Sequence, residues 1–392
     1  MKIVVTGGGS GGHITPILAV AHELKRLNPK VEIIYIGQKD DHLSDLPEQD
    51  SAIDSVYSVS AGKLRRYADE GWKQWLNLRV QALNVRDVCR VIAGLWQSFW
   101  LLHRLKPDVI FTRGGFVSVP VALGGKLNGI PYLTHDSDSV PSLANRLIAR
   151  WAHSHAVSLP AELYPYPIAK TVVVGVPVSD QYQTLTPVLR ARYRKELHVP
   201  TDAQLVFATG GGNGARALND ALVANARYLL ATFPNLVIIH IAGRALEAET
   251  NRAYDALDLG KARARVRVHG FVTGLAAYSG AADVVLTRGG ATTLAEFAIQ
   301  GVACIIVPSK QLGWNVKNAQ ILTEQGAALT LNEDQVEQPE RLGRKIGELL
   351  DDDVQRKQLA RNLASYAHPH AAAELAKVVL NIGGEGRVQA KK

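Results

Sequence analysis

Two strand-to-turn patterns each occur twice in this chain, once in each half. A β-branched run leads into a glycine loop at residues 2–12, and a similar run leads into a second glycine loop at residues 205–215. The sequence Thr-Arg-Gly-Gly follows an apolar run at residues 112–115 and again at residues 287–290. A buried strand, a glycine turn and then a helix is the local pattern of a nucleotide or phosphate site at the carboxyl edge of a parallel sheet. The duplication predicts two similar α/β domains facing each other across a cleft.

Length and composition favour a two-domain protein of a reducing compartment. The 392 residues, 47% of them apolar, are enough for two complete cores. The two cysteines, Cys89 and Cys304, indicate neither a disulfide framework nor a metal cluster. The first residues are typical of a strand rather than a signal peptide, and the longest apolar stretch, near residues 95–102, is too short to span a bilayer. The net charge of +8 favours phosphate-bearing ligands, nucleic acid or an anionic membrane surface.

Near-continuous β-branched runs predict strands buried on both faces of parallel sheets. In the first half they lie at residues 2–6, 31–37, 109–112, 131–135, 155–158 and 171–174, and in the second half at 205–209, 236–242, 266–268, 284–287 and 303–307. A polar, basic helix begins after an extended Pro-containing segment, which predicts an N-terminal domain over residues 1–178 and a C-terminal domain over 179–370. A last helix over about 371–382 is expected to pack back on the first domain, and residues 383–392 are expected to fray.

The glycine loops alone are a weak signal. Residues 7–12 fit the G-x-G-x-x-G pattern, but the NAD interpretation needs an acidic residue at the tip of the second strand. The tips at residues 35–39 and 240–245 carry no such carboxylate, which makes an NAD-dependent oxidoreductase the weaker alternative. No Gly-Lys-Ser/Thr follows either loop, so a P-loop is excluded. The alternative to a ligand-binding role is that these glycines serve only to permit tight turns and close packing of helix on strand.

Two side chains beside these turns are candidates for chemistry. His13 begins the helix after the first glycine loop; it is either a cap or buried structural histidine, or a base kept neutral by the helix N-terminus. In the second half, Thr292 and Thr293 lie in the first turn of a helix after Arg288, where backbone N–H groups and hydroxyls make an anion site. Glu296, one turn further, is either a ribose ligand or a solvated helix carboxylate.

Aromatic and basic residues are concentrated between residues 63 and 102. Four tryptophans, Trp72, Trp75, Trp96 and Trp100, lie near the cations Lys63, Arg65, Arg66, Lys73 and Arg79. One apolar stripe has helical spacing: Ile92, Leu95, Trp96, Phe99 and Leu102. Two interpretations are open, a stripe packed in the core or partial insertion into the surface of a membrane.

Taken together, these motifs closely resemble the MurG family of peptidoglycan glycosyltransferases, the UDP-N-acetylglucosamine:undecaprenyl-pyrophosphoryl-N-acetylmuramoyl-pentapeptide N-acetylglucosaminyltransferases. The resemblance runs from residue 6 to about residue 382. It rests on ordered motifs at residues 7–16, 61–67, 113–121, 135–147, 210–220, 288–297 and 318–319. The resemblance implies an α/β fold of the two-domain glycosyltransferase-B architecture. The C-terminal domain is then expected to bind UDP-GlcNAc, and the N-terminal domain to hold the lipid-linked acceptor.

The resemblance also implies site residues. Glu296 is expected to bind the ribose, Phe271 and Val272 to flank the uracil, and Arg288 with the following helix to bind the diphosphate. The full donor set is Gly211, Gly212, Asn213, Asn219, Phe271, Val272, Arg288, Ala291, Thr292, Thr293, Glu296 and Asn315. The acceptor set is Gly11, Gly12, His13, Arg113, Gly114, Gly115, His135 and Asn145. The chain departs from the family pattern in the glutamine-bearing loop that reads sugar hydroxyls, which is residues 311–315 here: Asn315 substitutes with a shorter reach, and Trp314 is unexpected. It also departs at Gly212, in place of serine, and at Ser179, where an arginine is frequent.

The reaction implied is an inverting transfer. The C4 hydroxyl of N-acetylmuramic acid attacks the anomeric carbon of GlcNAc, with His13 as base and Asp138 or Asp136 as the alternative carboxylates. No cofactor is required, although Mg²⁺ can accompany the diphosphates. The expected partners are UDP-GlcNAc, an undecaprenyl-linked acceptor, an anionic membrane surface and other cell-wall synthesis proteins, but no nucleic acid. The location is then the cytoplasmic face of a bacterial cell membrane, and the alternative function is a glycosyltransferase of the same fold with another nucleotide sugar or lipid acceptor.

Overall fold

The computed structural model describes residues 1–8, 11–41, 44–62, 78–211, 214–338 and 340–389. The chain divides into two compact units. The first contains Met1–Ser179 and His368–Lys392, and the second contains Asp180–Ala367. The predicted boundaries, after residues 178 and 370, therefore differ slightly from the observed ones.

The first unit is built on a parallel sheet, which has seven strands within the described ranges. They are β1 (Lys2–Thr6), β2 (Glu32–Gln38), β3 (Ser55–Val59), β4 (Val109–Thr112), β5 (Tyr132–Asp136), β6 (Ser154–Val157) and β7 (Thr171–Val173). Their order in the sheet is β3-β2-β1-β4-β5-β6-β7. Sequence analysis missed β3, because this edge strand is largely half-exposed and has no continuous apolar run.

Helices cover both faces of this sheet. They are α1 (Gly11–Leu27), α2 (Asp45–Glu48), α3 (Leu78–Leu105), α4 (Ser118–Leu127) and α5 (Leu143–Ile148). Successive residues of a strand point to opposite faces. Accordingly, Ile3 and Val5 pack with Ile17 of α1, whereas Val4 packs with Val121 of α4 and Leu102 of α3. Burial on both faces explains why the strand sequences are continuously apolar.

The second unit repeats this design. The strands are β8 (Gln204–Thr209), β9 (Leu236–Ile241), β10 (Val266–His269), β11 (Val284–Thr287), β12 (Cys304–Ile306) and β13 (Leu329–Thr330), in the order β10-β9-β8-β11-β12-β13. The helices are α6 (Pro187–Glu196), α7 (Arg216–Thr232), α8 (Glu247–Asp255), α9 (Leu275–Ala281), α10 (Ala291–Gln300), α11 (Gly313–Glu324), α12 (Glu333–Val336), α13 (Arg341–Asp351) and α14 (Asp353–Ala364). All strand pairs are parallel. The short β13 was also missed by sequence analysis.

The last helix, α15 (Ala371–Gln389), belongs to the first unit, as predicted. Leu375 and Val379 are buried with Ile3 and Ile17. The predicted fraying from residue 383 is wrong for residues 383–389, which continue the helix. A Cβ at Gly383 would lie only 3.1 Å from Val109 Cγ1, so this part of the helix is packed against β4. Residues 390–392 lie outside the described residues.

Both sheets reverse their strand order at an equivalent place. In the first unit the order reverses between β1 and β4, and in the second between β8 and β11. Ligands of open α/β sheets bind at the carboxyl ends of the strands at such points. The predicted fold class, two Rossmann-like parallel-sheet domains, is confirmed, and the repeated motifs lie at the two reversal points.

Candidate active site

In the first unit, the turns after β1 and β4 lie directly against each other. Gly114 and Gly115 have φ angles of +87° and +86°, which glycine adopts without strain. A Cβ at Gly115 would lie 2.9 Å from the carbonyl oxygen of Gly8. Two of the predicted acceptor-binding loops are therefore in contact, and this contact requires glycine.

His13 lies in the first turn of α1, beside the turn after β4. Its Nδ1 atom is 3.2 Å from the backbone carbonyl oxygen of Arg113. A carbonyl only accepts hydrogen bonds, so Nδ1 carries the proton and the lone pair is on Nε2. Burial, reinforced by the Arg113 cation, lowers the pKa of His13 to about 4. The imidazole is thus neutral at neutral pH, although this neutrality comes from burial and Arg113 rather than from the helix N-terminus, and its role as the base stays a prediction. Gly11 and Gly12 precede it in the same turn.

The side chain of Arg113 points into the protein. The residue is 4% exposed, and its guanidinium donates a hydrogen bond to the Ser137 hydroxyl. Burial lowers the pKa of Arg113 to about 10, against the opposing effect of Asp138 and Asp136. The side chain therefore remains a cation at neutral pH, and the negative charges of Asp138 and Asp136 favour this charged form.

The two carboxylates predicted as alternative bases, Asp136 and Asp138, differ in their exposure to solvent. Asp136 is 3% exposed and accepts hydrogen bonds from the Tyr166 hydroxyl at 2.7 Å and the Ser142 backbone N–H at 3.1 Å. Burial raises the pKa of Asp136 above its ordinary value. Asp138 is half-exposed. Because a base must reach the proton it removes, Asp138 is the better placed of the two.

His135 and Asn145 are completely buried. His135 Nε2 donates to the carbonyl of Gly175 at 2.8 Å, and Asn145 Nδ2 donates to the carbonyl of His135 at 2.9 Å. Burial lowers the pKa of His135 far below its ordinary value. These two predicted acceptor ligands therefore hold the loop after β5 in place.

In the second unit, Arg288 joins the turn after β11 to the glycine loop after β8. Gly211 and Gly214 have φ angles of +78° and +72°. Arg288 Nη1 donates to the carbonyl of Gly214 at 3.3 Å. Burial lowers the pKa of Arg288, opposed by Glu333. The predicted donor residues Gly212 and Asn213 lie outside the described residues.

Helix α10 begins at the second Gly-Gly turn. Gly289 has a φ of +90°, and Gly290 precedes the helix without a side chain to cap its first N–H groups. Ala291, Thr292 and Thr293 form the first turn and are half-buried. Uncapped N–H groups at a helix N-terminus attract anions. The geometry fits the predicted diphosphate site.

Glu296 lies on α10, one turn after Thr292. The Tyr182 hydroxyl donates a hydrogen bond to its carboxylate. Burial raises the pKa of Glu296 to about 8, and the Tyr182 hydrogen bond acts in the opposite direction. The alternative of a solvated helix carboxylate is therefore wrong, because Glu296 is half-buried and its carboxylate is hydrogen-bonded to Tyr182.

Phe271 and Val272 follow β10. Phe271 is 49% exposed, and the Arg244 guanidinium carbon lies 4.2 Å from the centre of its ring. Val272 is half-buried. A ring with one face on a guanidinium and half its surface exposed is a suitable neighbour for a planar base.

Two predicted donor ligands, Asn219 and Asn315, are buried, in contrast to the half-exposed Phe271. Asn219 donates to the carbonyl of Ala242 at 2.9 Å, and its Oδ1 is 2.9 Å from His240 Nε2. Asn315, 2% exposed, directs Nδ2 to the carbonyl of Gly289 at 3.4 Å. Both amides stabilise the turns of the site. Trp314, next to Asn315, is 42% exposed.

Sequence analysis missed Tyr182, Tyr166 and Arg244. Tyr182 lies in a segment without regular structure, and Tyr166 lies between two short 3₁₀ turns. Arg244 follows β9, at a strand tip where the dinucleotide pattern concerns acidic residues and not arginine. No motif marks these positions, and only the folded chain brings them to their partners.

Helix α3 carries an exposed apolar face, formed by Val85, Val88, Ile92, Trp96 and Trp100, with exposures between 45% and 65%. The opposite side packs on α4, where a Cβ at Gly124 would lie 2.9 Å from Ser98 Cβ. The predicted single stripe is therefore wrong: Leu102 is buried, Leu95 and Phe99 are half-buried, and Ile92 and Trp96 are exposed. Part of the predicted aromatic and basic region lies outside the described residues. This part is residues 63–77, which include Trp72, Trp75, Lys63, Arg65, Arg66 and Lys73, together with the side chain of Arg79. None of the described helices combines the length and the apolar composition that a membrane span requires.

Comparison with known proteins identifies the family. Residues 3–157 match the glycosyltransferase family 28 N-terminal domain, and residues 205–375 match the glycosyltransferase family 28 C-terminal domain. A relative from Natranaerobius thermophilus is 30% identical over 382 residues, which are 97% of this chain and 99% of the relative. One from Bacillus cereus is 29% identical over 97% of this chain and 98% of its own length. Both are named UDP-N-acetylglucosamine--N-acetylmuramyl-(pentapeptide) pyrophosphoryl-undecaprenol N-acetylglucosamine transferase.

Solved structures confirm the fold. The crystal structure of Acinetobacter baumannii MurG aligns over 97% of this chain and 99% of its own, with a TM-score of 0.72 and 23% identity. A UDP-GlcNAc 2-epimerase from Neisseria meningitidis, bound to UDP-GlcNAc, aligns with a TM-score of 0.64 and 12% identity. The predicted glycosyltransferase-B architecture is thereby confirmed. From its two domain matches and its full-length relative, the chain belongs to glycosyltransferase family 28 and, within it, to the MurG family of N-acetylglucosamine transferases.

Proposed function

We propose that this protein transfers N-acetylglucosamine from UDP-GlcNAc to the C4 hydroxyl of N-acetylmuramic acid in undecaprenyl-pyrophosphoryl-MurNAc-pentapeptide, with inversion at the anomeric carbon. The names of the full-length relatives support the substrates. The product is the lipid-linked disaccharide of peptidoglycan synthesis.

The observation that carries the proposal is the order of groups along α10. Arg288 and the uncapped first turn offer positive charge to a diphosphate, and Glu296, one turn later, offers acceptors to a ribose diol. Phe271, stacked on Arg244, is the proposed neighbour of the uracil. A nucleoside diphosphate needs these three kinds of contact together.

In the proposed mechanism, His13 Nε2 removes the proton of the acceptor hydroxyl. The hydroxyl oxygen forms a bond to the anomeric carbon as the bond from that carbon to the UDP oxygen breaks. The bonding electrons go to the diphosphate, where Arg288 and the N-terminus of α10 stabilise the growing negative charge. Preorganised charges of this kind often contribute more to catalysis than any other effect.

We further propose that the enzyme needs no metal bound by its own side chains, because Arg288 and α10 supply positive charge to the leaving group. Mg²⁺ that arrives with the diphosphates is the alternative. Turnover that survives EDTA supports the first proposal, and turnover that EDTA abolishes and Mg²⁺ restores supports the second.

The apolar face of α3 is the proposed contact with the cytoplasmic surface of the membrane. Exposed aromatic and aliphatic side chains on one helix face insert into the interfacial region of a bilayer. Arg86 and Arg90 on the same helix are about half-exposed and share one ion-pair partner, Asp87, so the pair keeps a net positive charge that adds attraction to anionic lipids. The proposal accounts for an enzyme whose acceptor carries a polyprenyl chain.

A donor panel tests the function. The purified protein is given the lipid acceptor and, in separate reactions, UDP-GlcNAc, UDP-GalNAc, UDP-glucose or a purine nucleotide sugar. We expect transfer from UDP-GlcNAc far above that from the other donors. Preference for another UDP-sugar would instead identify a glycosyltransferase of the same fold with altered sugar recognition, which the exposed Trp314 makes worth testing.

A further inference from the structure

Tyr182 is buried although its chain segment has no regular structure. It lies between β7 and α6, three positions after Ser179, the last residue of the first unit in this part of the chain. The residue is 9% exposed, and its hydroxyl donates a hydrogen bond to the carboxylate of Glu296 on α10. An irregular segment is thus tied to the middle of the proposed ribose site.

This hydrogen bond leaves the carboxylate able to bind a ligand. An ionised carboxylate has about four acceptor positions, and one tyrosine hydroxyl occupies one of them. The two hydroxyls of a ribose need two more. The bond also restrains rotation of the carboxylate about its own axis, so less freedom remains to be lost when a ligand binds.

We propose that Tyr182 is the positioning residue for Glu296: its hydroxyl fixes the carboxylate in the orientation that accepts both hydroxyls of a nucleotide ribose. This inference rests on the proposed function, in which Glu296 binds the ribose. Tyr182 itself does not touch the reacting atoms, so its effect is on donor binding and not on the transfer step.

The charge of Glu296 provides a second readout. Burial raises the pKa of this carboxyl to about 8, and the Tyr182 hydroxyl opposes that rise by favouring the ionised form. The titratable group that contacts Glu296 is Tyr182 from the irregular segment, and the titratable group beside Tyr182 is Tyr193 of α6. Without the Tyr182 hydroxyl the carboxyl should ionise at a higher pH, and UDP binding should require a correspondingly higher pH.

The test compares Tyr182→Phe with the unchanged protein and with Tyr193→Phe, which removes a hydroxyl from the neighbouring buried tyrosine. Calorimetric titration with UDP between pH 6.5 and 9 gives the affinity, and steady-state kinetics give KM for UDP-GlcNAc and kcat. For Tyr182→Phe we expect UDP affinity to fall and KM to rise by about three- to tenfold, with kcat nearly unchanged and the pH midpoint of binding shifted upward. Tyr193→Phe should leave all of these unchanged.

A double-mutant cycle with Glu296→Gln separates this inference from the assignment of the ribose site. If Tyr182 acts through Glu296, adding Tyr182→Phe to Glu296→Gln has no further effect on UDP affinity. Equal affinity and an unshifted pH midpoint in Tyr182→Phe, while Glu296→Gln weakens binding, would overturn the positioning role alone. Tighter UDP binding by Tyr182→Phe would also overturn it, because the hydroxyl would then compete with the ribose. If Glu296→Gln leaves UDP binding unchanged, the ribose site itself is wrong.

Discussion

The Nδ1 atom of His13 lies 3.2 Å from the backbone carbonyl oxygen of Arg113, although the two residues are 100 positions apart in the chain. The parallel pairing of β1 with β4 brings the two turns together. This one contact fixes both the ring orientation and the tautomer, because a carbonyl oxygen accepts only an N–H. The atom left to accept a proton is Nε2.

Loss of this imidazole should slow the transfer step. We expect His13→Ala to lower kcat by about 10²- to 10⁴-fold, the usual contribution of a general base, with UDP affinity unchanged. His13→Asn is the matched variant, since its amide N–H can still donate to the Arg113 carbonyl but supplies no base. A strong recovery of kcat in His13→Asn would mean that the residue is structural, and Asp138 would become the candidate base.

The pH dependence of kcat follows from the same environment. Burial and the Arg113 cation lower the pKa of His13 to about 4, so the base form persists far below the ordinary value of 6.5. At saturating donor, we expect kcat to show no loss centred near pH 6.5. The unfolded chain takes up this proton near pH 6.5, whereas the folded chain takes it up only near pH 4. The contribution of His13 to the free energy of unfolding is therefore complete above pH 6.5 and is lost as the pH falls from 6.5 to 4. Circular dichroism at each pH must therefore show that the protein is folded. A fall in kcat centred near pH 6.5 in folded protein, absent from His13→Asn, would contradict the buried base.

Much of the fold was predictable because strands that are buried on both faces have continuously apolar sequences. In β1 and β8, nearly every residue faces a helix layer, so the apolar runs and the glycine turns after them identify the sheets. The edge strand β3 was missed because its side chains are mostly half-exposed. Sequence signals depend on burial, and they weaken where a strand leaves the core.

The site was less predictable than the fold, since a motif names residues but not the direction of their side chains. Asn219 and Glu296 both belong to matched motifs, yet Asn219 is bound to His240 and Ala242, while Glu296 is held by Tyr182. The partner of Glu296 lies more than 100 residues away in an irregular segment. Contacts of this kind come from tertiary packing and leave no local pattern.

Removal of the Glu296 carboxylate should weaken donor binding. A hydrogen bond to a charged group contributes about 1.5–3 kcal/mol. At pH 9, above the pKa of about 8 at which Glu296 ionises, Glu296→Ala should therefore raise KM for UDP-GlcNAc by about 10- to 150-fold with a smaller change in kcat. Glu324→Ala, which removes an exposed carboxylate from α11, is the control. An unchanged KM in a variant with an unchanged melting temperature would reject Glu296 as a ribose ligand.

The apolar face of α3 should bind vesicles without contributing much to folding. Trp96 and Trp100 are 65% and 52% exposed, so the double variant Trp96→Ser/Trp100→Ser should melt close to the unchanged protein. Its co-sedimentation with anionic vesicles should fall several-fold, and binding of the unchanged protein should weaken as salt rises. Trp314→Ser, at an exposed tryptophan of the second unit, is the control. A large fall in melting temperature with vesicle binding retained would assign these tryptophans to packing and leave the membrane contact elsewhere.

Two glycines of the loop after β8 offer a paired test of why that loop is glycine-rich. Gly211 and Gly214 have nearly equal φ angles of +78° and +72°, so alanine at either position carries a similar backbone cost of about 1–2 kcal/mol. They differ in the space around them. A Cβ at Gly211 meets no described residue within 4 Å, whereas one at Gly214 would lie 2.2 Å from the carbonyl oxygen of Ala242. Gly214→Ala must therefore displace the turn after β9, which should lower the free energy of unfolding by about 1–3 kcal/mol more. We expect calorimetric melting to show a clearly lower Tm for Gly214→Ala than for Gly211→Ala, with weaker UDP binding in the former because Arg288 also binds the Gly214 carbonyl. Equal melting temperatures would show that the two turns separate easily, and the close contact would then not explain the glycine at position 214.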